Sequence, residues 1–412
     1  MDNIAALTIC SLNYLAKALV LFESYVKYHP DHTFYVVLVD KKAELQLELP
    51  EGLRVVWVED LNIPNFYQAA FAFDVIELNT NVKPAAMAKL LDQHSCVVYL
   101  DPDIEIFARL DPVFTALKKA PIVVTPHCNT PILDGCKPDD LEFMRFGTFN
   151  LGFIGVSRTD EARAFLSWWS DRCLHFGFYE PQSGLAVDQK WVNLAPSYFP
   201  NLQVLHDVGL NVAFWNLHER HLSLIAGEWV INEQFPLYFI HFSSFDTANP
   251  ARIAKKQDRY PPGSRPDFIS LAEGYAQKLM SFSIQAYEGS LYSFDYFEDG
   301  RYICPALRRL YSALKESRFG DVRNPFLTNG SVRRFAEANG LMIKDDAASV
   351  RHTFKDLHAH GWQYKVILRS LRLALRLLGP DRYFNLMRFM GYISSLRNQG
   401  EIFKDERNAS GQ

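Results

Sequence analysis

The chain has 412 residues, 48% hydrophobic and 14% aromatic, which is enough apolar material for a packed core and enough length for two or three domains. Its 43 Lys and Arg against 47 Asp and Glu leave a formal net charge of −4, which argues against nucleic acid as a partner. The six cysteines are scattered without C-x-x-C spacing, so neither a zinc site nor a redox pair is indicated, and thiols inside apolar runs fit a reducing, cytoplasmic setting.

The N-terminus runs into a strand pattern with no basic leader, so no signal peptide is expected. No window approaches the ~18 consecutive apolar residues of a membrane span. Residues 5–10 read as a first strand, Ser11-Leu12-Asn13 as a loop, and 14–28 as a helix with Ala18, Leu21, Phe22 and Tyr25 at helical spacing. Residues 34–39 form a second strand closed by Asp40, and 54–58 a third. This rhythm predicts an α/β fold, a mainly parallel sheet covered by helices. Residues 65–81 are aromatic-rich and read as helical, and 85–91 as a short helix carrying Lys89. Glu77 and Lys83, between them, read as a local pair.

Residues 96–107, CVVYLDPDIEIF, carry the chemistry. A buried strand ends in Asp101-Pro102-Asp103. Two carboxylates one residue apart are costly there unless a cation lies between them, and hard oxygen ligands suit Mg²⁺ or Mn²⁺. The carboxyl ends of strands in open α/β sheets are also where ligands bind. A plain turn is the alternative, since Pro and Asp both favour turns.

Residues 121–125 are a further strand and 128–145 a loop or lid over a site. The strand 149–156, FNLGFIGV, has internal glycines, which mark close approach of a ligand or backbone. A helix at 162–175 follows, then Asp188-Gln189-Lys190-Trp191, a strand at 211–215 and another at 237–242 bearing His241. Asp188 reads either as a helix N-cap or as a polar group facing a ligand. Trp215 is either core or a platform for an acceptor sugar. Near residue 246 the strands stop, which divides the chain into an α/β region, 1–246, and a helical accessory region, 247–412, with Pro261-Pro262-Gly263-Ser264 as a linker. Between residues 351 and 397 nine Lys or Arg stand against two Asp or Glu, and 362–378 is strongly apolar with Arg369, Arg372 and Arg376 on one side. That stretch reads either as a bundle element or as a helix in peripheral contact with a membrane.

In this order, the strand-terminal Asp-Pro-Asp, FNLGFIGV, the Asp-Gln pair and a late strand-borne histidine make residues 5 to 260 resemble glycosyltransferases of the GT-A fold. The likeness is to the family 8 type (glycogenin and the lipopolysaccharide galactosyltransferases) and to related bacterial polysaccharide glycosyltransferases. The resemblance implies a Rossmann-like mixed, mainly parallel sheet. It implies a metal-dependent enzyme that moves a sugar from a nucleotide-sugar donor, UDP-linked and with retention, to a glycan or lipid-linked acceptor in bacterial surface polysaccharide synthesis. Asp101, Asp103 and His241 would hold Mn²⁺ or Mg²⁺, and mixed O,O,N ligation suits Mn²⁺ somewhat better. Asn150 and Gly152 would lie beside the sugar, and Asp188 and Gln189 near the reacting centre. Ser11, Asn13 and Asp40 would take the nucleotide, with Lys89 facing the donor. The family's HFxGxxKPW continuation is replaced here by His241-Phe242-Ser243-Ser244-Phe245-Asp246, so the basic group for the diphosphate would come from Lys255, Lys256 or Arg259.

Three other readings compete. A sugar nucleotidyltransferase needs a glycine-rich loop after the first strand, and residues 11–17 have no glycine. A haloacid-dehalogenase-type phosphatase carries its D-x-D at the end of the first strand, not this far along. A non-catalytic sugar-nucleotide binder, or a scaffold with a degenerate site, is opposed by Asp101, Asp103 and His241 standing together, and donor hydrolysis without acceptor separates an enzyme from a binder.

Overall fold

Runs of β-branched and aromatic residues form the strands, and the apolar stripes between them form the covering helices. The computed structural model describes residues 3–43, 49–282, 289–343 and 361–403. In chain order the first half contains β1 (Ile4–Cys10), α1 (Leu15–Tyr28), β2 (Thr33–Leu38), β3 (Leu53–Trp57), α2 (Phe66–Ala72), α3 (Val75–Asn81), α4 (Lys83–Leu91), β4 (Cys96–Leu100), β5 (Ile104–Ile106), α5 (Asp111–Leu117), β6 (Ile122–Pro126), α6 (Asp140–Phe146), β7 (Phe149–Ser157) and α7 (Asp160–Phe176). Then come β8 (Tyr179–Glu180), β9 (Leu185–Ala186), α8 (Gln189–Val192), α9 (Ala195–Tyr198), β10 (Leu202–Val204), β11 (Leu222–Ile225), β12 (Glu228–Ile231), β13 (Phe235–Pro236), β14 (Phe239–His241) and α10 (Pro266–Ser281). The last helices are α11 (Pro305–Arg318), α12 (Ser331–Ala338), α13 (Gly361–Leu378) and α14 (Pro380–Ile393).

Seven strands form one sheet in the order β10-β6-β7-β4-β1-β2-β3. All neighbours are parallel except at β7, which runs against both β4 and β6. This is the mixed, mainly parallel sheet with flanking helices, followed by a helical C-terminal region, that the sequence predicts. Every residue of β1 and β7 is buried, so both strands read as apolar runs without a polar face. Ala6 and Cys10 of β1 join Ala18, Leu21, Phe22 and Tyr25 of α1 in one core cluster. Ala5, Leu7 and Ile9 point to the opposite face, where the next helix layer covers them.

The chain separates into two compact units, residues 1–69 with 75–294, and residues 70–74 with 295–412. α10 lies beyond residue 246 yet packs in the first unit. Its Phe268, Leu271, Tyr275 and Leu279 share a core with Trp215 and Phe242. In the second unit, buried Arg308 of α11 donates to the carbonyls of Ala70, Phe71 and Phe73 and to Asp295.

Several local expectations change. Residues 65–81 are helical as expected but divide into α2 and α3, with Phe73 and Asp74 outside both. The segment read as loop, 128–145, contains α6, because the Asp139 carboxylate accepts from the Glu142 N–H (3.1 Å) and caps its start. Residues 211–215 do not form a strand. Val212 makes one isolated bridge to Ile240, and Asn211 sits at a left-handed φ of 54°, a conformation Asn tolerates better than most residues. β10 to β13 and α5 were not anticipated, being short and weakly patterned.

Candidate metal centre

β4 delivers Asp101 at its carboxyl end, where the Asp101 N–H donates to the Gly152 carbonyl (2.8 Å) and locks the residue against β7. The chain turns through Pro102 and Asp103 into β5, which pairs antiparallel with β14 so that His241 lies opposite Ile104. The Phe242 N–H donates to the Asp103 carbonyl (2.8 Å), closing the ribbon. His241 Nε2 therefore stands 3.0 Å from Asp103 Oδ1 and 3.4 Å from Asp101 Oδ2. One ligand atom from each of the three residues falls within 4.8 Å of the others, so Asp101, Asp103 and His241 could hold a metal ion. Burial alone would raise the Asp103 carboxyl, but the His241 imidazole and then Lys17 outweigh it and hold it at about 2. Burial would likewise lower His241, and Asp103 and Asp101 together keep it above its ordinary value.

The residues fit a divalent cation beyond their count. A ligating histidine normally donates its other ring N–H to an oxygen that fixes its tautomer. His241 Nδ1 lies 3.2 Å from Asn150 Oδ1, which also accepts from the Gly152 N–H (3.2 Å) and from Asn211 Nδ2 (3.0 Å). An oxygen taking three donors requires the proton on His241 Nδ1 and leaves Nε2 facing the two carboxylates. The Asn150 amide nitrogen meets His127 Nε2 (3.3 Å), and His127 Nδ1 donates to the Thr148 carbonyl (3.1 Å). Burial pulls His127 down to about 4, against the bond to Thr148, so it stays neutral and accepts from Asn150. Trp215 is buried with its ring 5.3 Å from His241 and 5.3 Å from His127, so it is a wall behind the imidazoles and not a sugar platform. Gly152 permits this packing, since a Cβ there would stand 2.4 Å from His241 Cε1.

Beside this cluster lies a buried ion pair. Lys83 Nζ donates to Asp188 Oδ2 (2.6 Å) and to the Leu151 carbonyl (2.8 Å), and it sits 4.1 Å from the Tyr99 ring. Tyr99 in turn donates its hydroxyl to Asp101. Burial raises the Asp188 carboxyl and Lys83 opposes that shift. Asp188 precedes α8 but makes no cap bond, so the N-cap reading gives way to the pair with Lys83. Glu77 does not take Lys83 as expected from sequence; its carboxylate accepts from the Tyr179 N–H (2.7 Å). Gln189 bridges two elements, accepting from the Leu151 N–H (3.0 Å) and donating to the Phe146 carbonyl (3.1 Å).

The remaining expected residues lie in other arrangements. Ser11 donates to Asn13 (2.6 Å), and the Leu12 N–H donates to Asp40 (2.9 Å). The other Asp40 oxygen accepts from the Ser293 N–H (2.8 Å) and hydroxyl (2.7 Å), so this carboxylate ties the β1 loop to residue 293. Lys89 donates to the Asp60 carbonyl (2.5 Å) on an exposed surface. Arg259 grips Asp134 with two nitrogens and also donates to the carbonyls of Cys136 and Pro138, clasping the loop ahead of α6. Lys255 lies 3.5 Å from Asp246, and Lys256 is exposed. The sequence reading missed His127, Asn211, Tyr99 and Lys17. His127 carried a signal, because it directly follows a buried strand at the ligand-binding edge.

No protein-family profile matches the chain. It is 28% identical over 249 residues to the uncharacterized protein YfnD of Bacillus subtilis (strain 168), covering 58% of this chain and 76% of that protein. It is 24% identical over 245 residues to the uncharacterized protein YfnF of the same organism, covering 58% and 80%. Among solved structures, the galactosyltransferase LgtC with donor and acceptor sugar analogs aligns at a TM-score of 0.40 and 16% identity, over 67% of this chain and 95% of that one. The glycosyltransferase GlyE of Streptococcus pneumoniae TIGR4 aligns at 0.39 and 12%, over 72% and 67%. Mouse xyloside xylosyltransferase 1 aligns at 0.31 and 16%, over 52% and 89%.

Proposed function

We propose that this chain is a metal-dependent glycosyltransferase, a hexosyltransferase using a UDP-sugar donor and a glycan or lipid-linked acceptor, acting with retention in bacterial surface polysaccharide synthesis on the cytoplasmic side of the plasma membrane. The observation that supports it most is the convergence of Asp101, Asp103 and His241 at the carboxyl end of β4, with His241 oriented by Asn150.

Asp101, Asp103 and His241 would hold Mn²⁺ or Mg²⁺. A bound divalent cation supplies charge stabilisation for a departing diphosphate. The chain's own groups do the rest of the work. Lys17, whose charge already acts on Asp103, adds positive field at the same point, where developing negative charge is worth most in a dry site. Asn150 and Gly152 form the floor beside the carboxylates. Asp188, paired with Lys83 in a buried position, would set a negative charge near the sugar, and Gln189 holds the β7 backbone beneath it. Ser11, Asn13 and Asp40 shape the β1 loop for the nucleotide, and Lys256 and Arg259 remain candidates on the donor side.

The test is calorimetric titration with UDP and GDP, with and without Mn²⁺, on the native chain and on Asp103→Ala and His241→Ala. Mn²⁺-dependent UDP binding that both substitutions abolish is the expected result. Binding that survives both removes the three-residue site. Hydrolysis of UDP-sugar without acceptor separates an enzyme from a binder.

A further inference from the structure

We propose that the α13–α14 hairpin is a docking surface for an anionic phospholipid bilayer. Along α13, Trp362, Val366, Leu373 and Leu377 fall on one line and are 71%, 47%, 56% and 76% exposed. Lys365, Arg369, Arg372 and Arg376 form a second exposed row, rotated from the first by less than a quarter turn at 3.6 residues per turn. The two rows run side by side along a helix about 27 Å long. α14 packs against α13, whose Tyr364, Leu371 and Ala374 are half-buried, while Ile367, Leu368 and Leu375 on that side stay partly exposed. It adds Phe384, Phe389 and Tyr392, each about 60% exposed, with Arg382 and Arg388 among them.

Apolar area of this extent is not left facing water without a partner. Charge decides which partner. Residues 361–397 hold seven Lys and Arg and one acidic residue, Asp381, in a chain whose net charge is −4. A second copy packed on the apolar row would offer the basic row no acidic counterpart, since the facing hairpin holds only Asp381. A bilayer with anionic headgroups satisfies both rows at once, the apolar row entering the acyl boundary and the basic row meeting phosphates. No helix among the described residues is long and apolar enough to cross a membrane, so the hairpin lies along the surface. The inference stands independently of the metal site.

Flotation of the whole chain with vesicles tests it. Binding is expected to vesicles of phosphatidylcholine mixed with phosphatidylglycerol, and not to phosphatidylcholine alone. Arg369→Ala/Arg372→Ala/Arg376→Ala should lower the partition coefficient about a hundredfold, at about fivefold per basic residue. Brominated acyl chains should quench Trp362 fluorescence, a component lost in Trp362→Phe and weakened in Leu373→Ser/Leu377→Ser. All of these positions are exposed, so the variants keep the fold, which circular dichroism checks. Failure to float with anionic vesicles overturns the proposal, as does flotation unchanged in both the arginine and the leucine variants. Self-association dissolved by the leucine variant, without vesicle binding, assigns the face to a second copy instead.

Discussion

Replacing Gly152 by alanine should cost the chain its metal affinity while leaving most of its stability. The added Cβ would stand 2.4 Å from His241 Cε1, 2.6 Å from its Nδ1 and 2.8 Å from Asn150 Oδ1. Carbon atoms rest at about 3.5 Å or more, so the imidazole must withdraw by about 1 Å. It cannot do so freely, because the Trp215 ring stands 5.3 Å away, edge-on at 88°. Metal–ligand distances tolerate only about 0.2 Å. The shift also breaks the bond that orients His241, and loss of such a partner alone costs about 10- to 100-fold in affinity. Overpacking should cost about 1–3 kcal/mol of stability. Gly155→Ala is the control. On the same strand its Cβ meets Val123 Cγ2 at 2.8 Å and Leu117 Cδ1 at 3.0 Å, in the core and away from the ligands. Mn²⁺ calorimetry and thermal unfolding on both variants separate the effects. Both should unfold a few degrees early, and only Gly152→Ala should lose Mn²⁺ by tenfold or more. Native-like Mn²⁺ affinity in folded Gly152→Ala would refute the reasoning.

Other expectations concern the surroundings of the site. Lys83→Met strands the buried Asp188 carboxylate and should destabilise by about 3–5 kcal/mol, whereas Lys83→Met/Asp188→Asn should recover part of that in denaturant unfolding. If the double variant is no better than the single one, the pair is not coupled as drawn. Burial, then His32 and Arg109, hold His29 at about 4 against an ordinary 6.5. The unfolded chain therefore binds this proton more readily, so the His29 contribution to stability is full above pH 6.5 and is lost as pH falls through 6.5 toward 4. The unfolding midpoint of His29→Gln should fall less steeply across that window than that of the native chain. Arg259→Ala should release residues 134–138, read as faster amide hydrogen exchange there with little change elsewhere; unchanged protection would mean the clasp is not what orders the loop.

The sheet and the two carboxylates of the candidate site were legible because they follow local rules, whereas His241 was reached through the family resemblance. A buried run ending in Asp-Pro-Asp is a strand ending in charge wherever it occurs. Lys83 and Lys89 show where local rules stop. Lys83 precedes a proline and reads from sequence as a local partner of Glu77, yet it opens α4 and reaches Asp188 instead. Six residues along a helix is about 240° of rotation, so only one of the two lysines can face the sheet edge, and the strand packing chooses Lys83. Asp40 has the same signature as Asp101, a carboxylate closing a buried strand. Its partners are Leu12 and Ser293, the latter 253 residues away, and no local pattern reports a contact of that range. The helix at 140–146 was hidden for the opposite reason. Its flanking Pro131, Gly135 and Pro138 speak for loop, and the Asp139 cap that starts it is a single residue.

The reversed strand explains why Asn150 and Gly152 belong to the same place as Asp101. In a parallel sheet every carboxyl strand end points to one edge, and ligands gather there. β4 ends in Asp101 and β6 ends just before His127 at that edge. β7 runs the other way, so it reaches this edge with its beginning, where Asn150 and Gly152 lie. The pairing fixes this placement, with Leu100 opposite Phe153 and Pro126 opposite Phe149. A parallel β7 would have brought Val156 and Ser157 to the edge and carried the N-x-G pair to the far side. The single antiparallel strand thus puts an amide between two histidines that come from distant parts of the chain, His127 after β6 and His241 in β14. Through that amide the tautomer of His241 is coupled to the register of the sheet. A slip of β7 by one residue would turn the Asn150 side chain to the opposite face and leave His241 without its acceptor. The geometry of the candidate metal site is therefore a property of the strand order as much as of Asp101, Asp103 and His241.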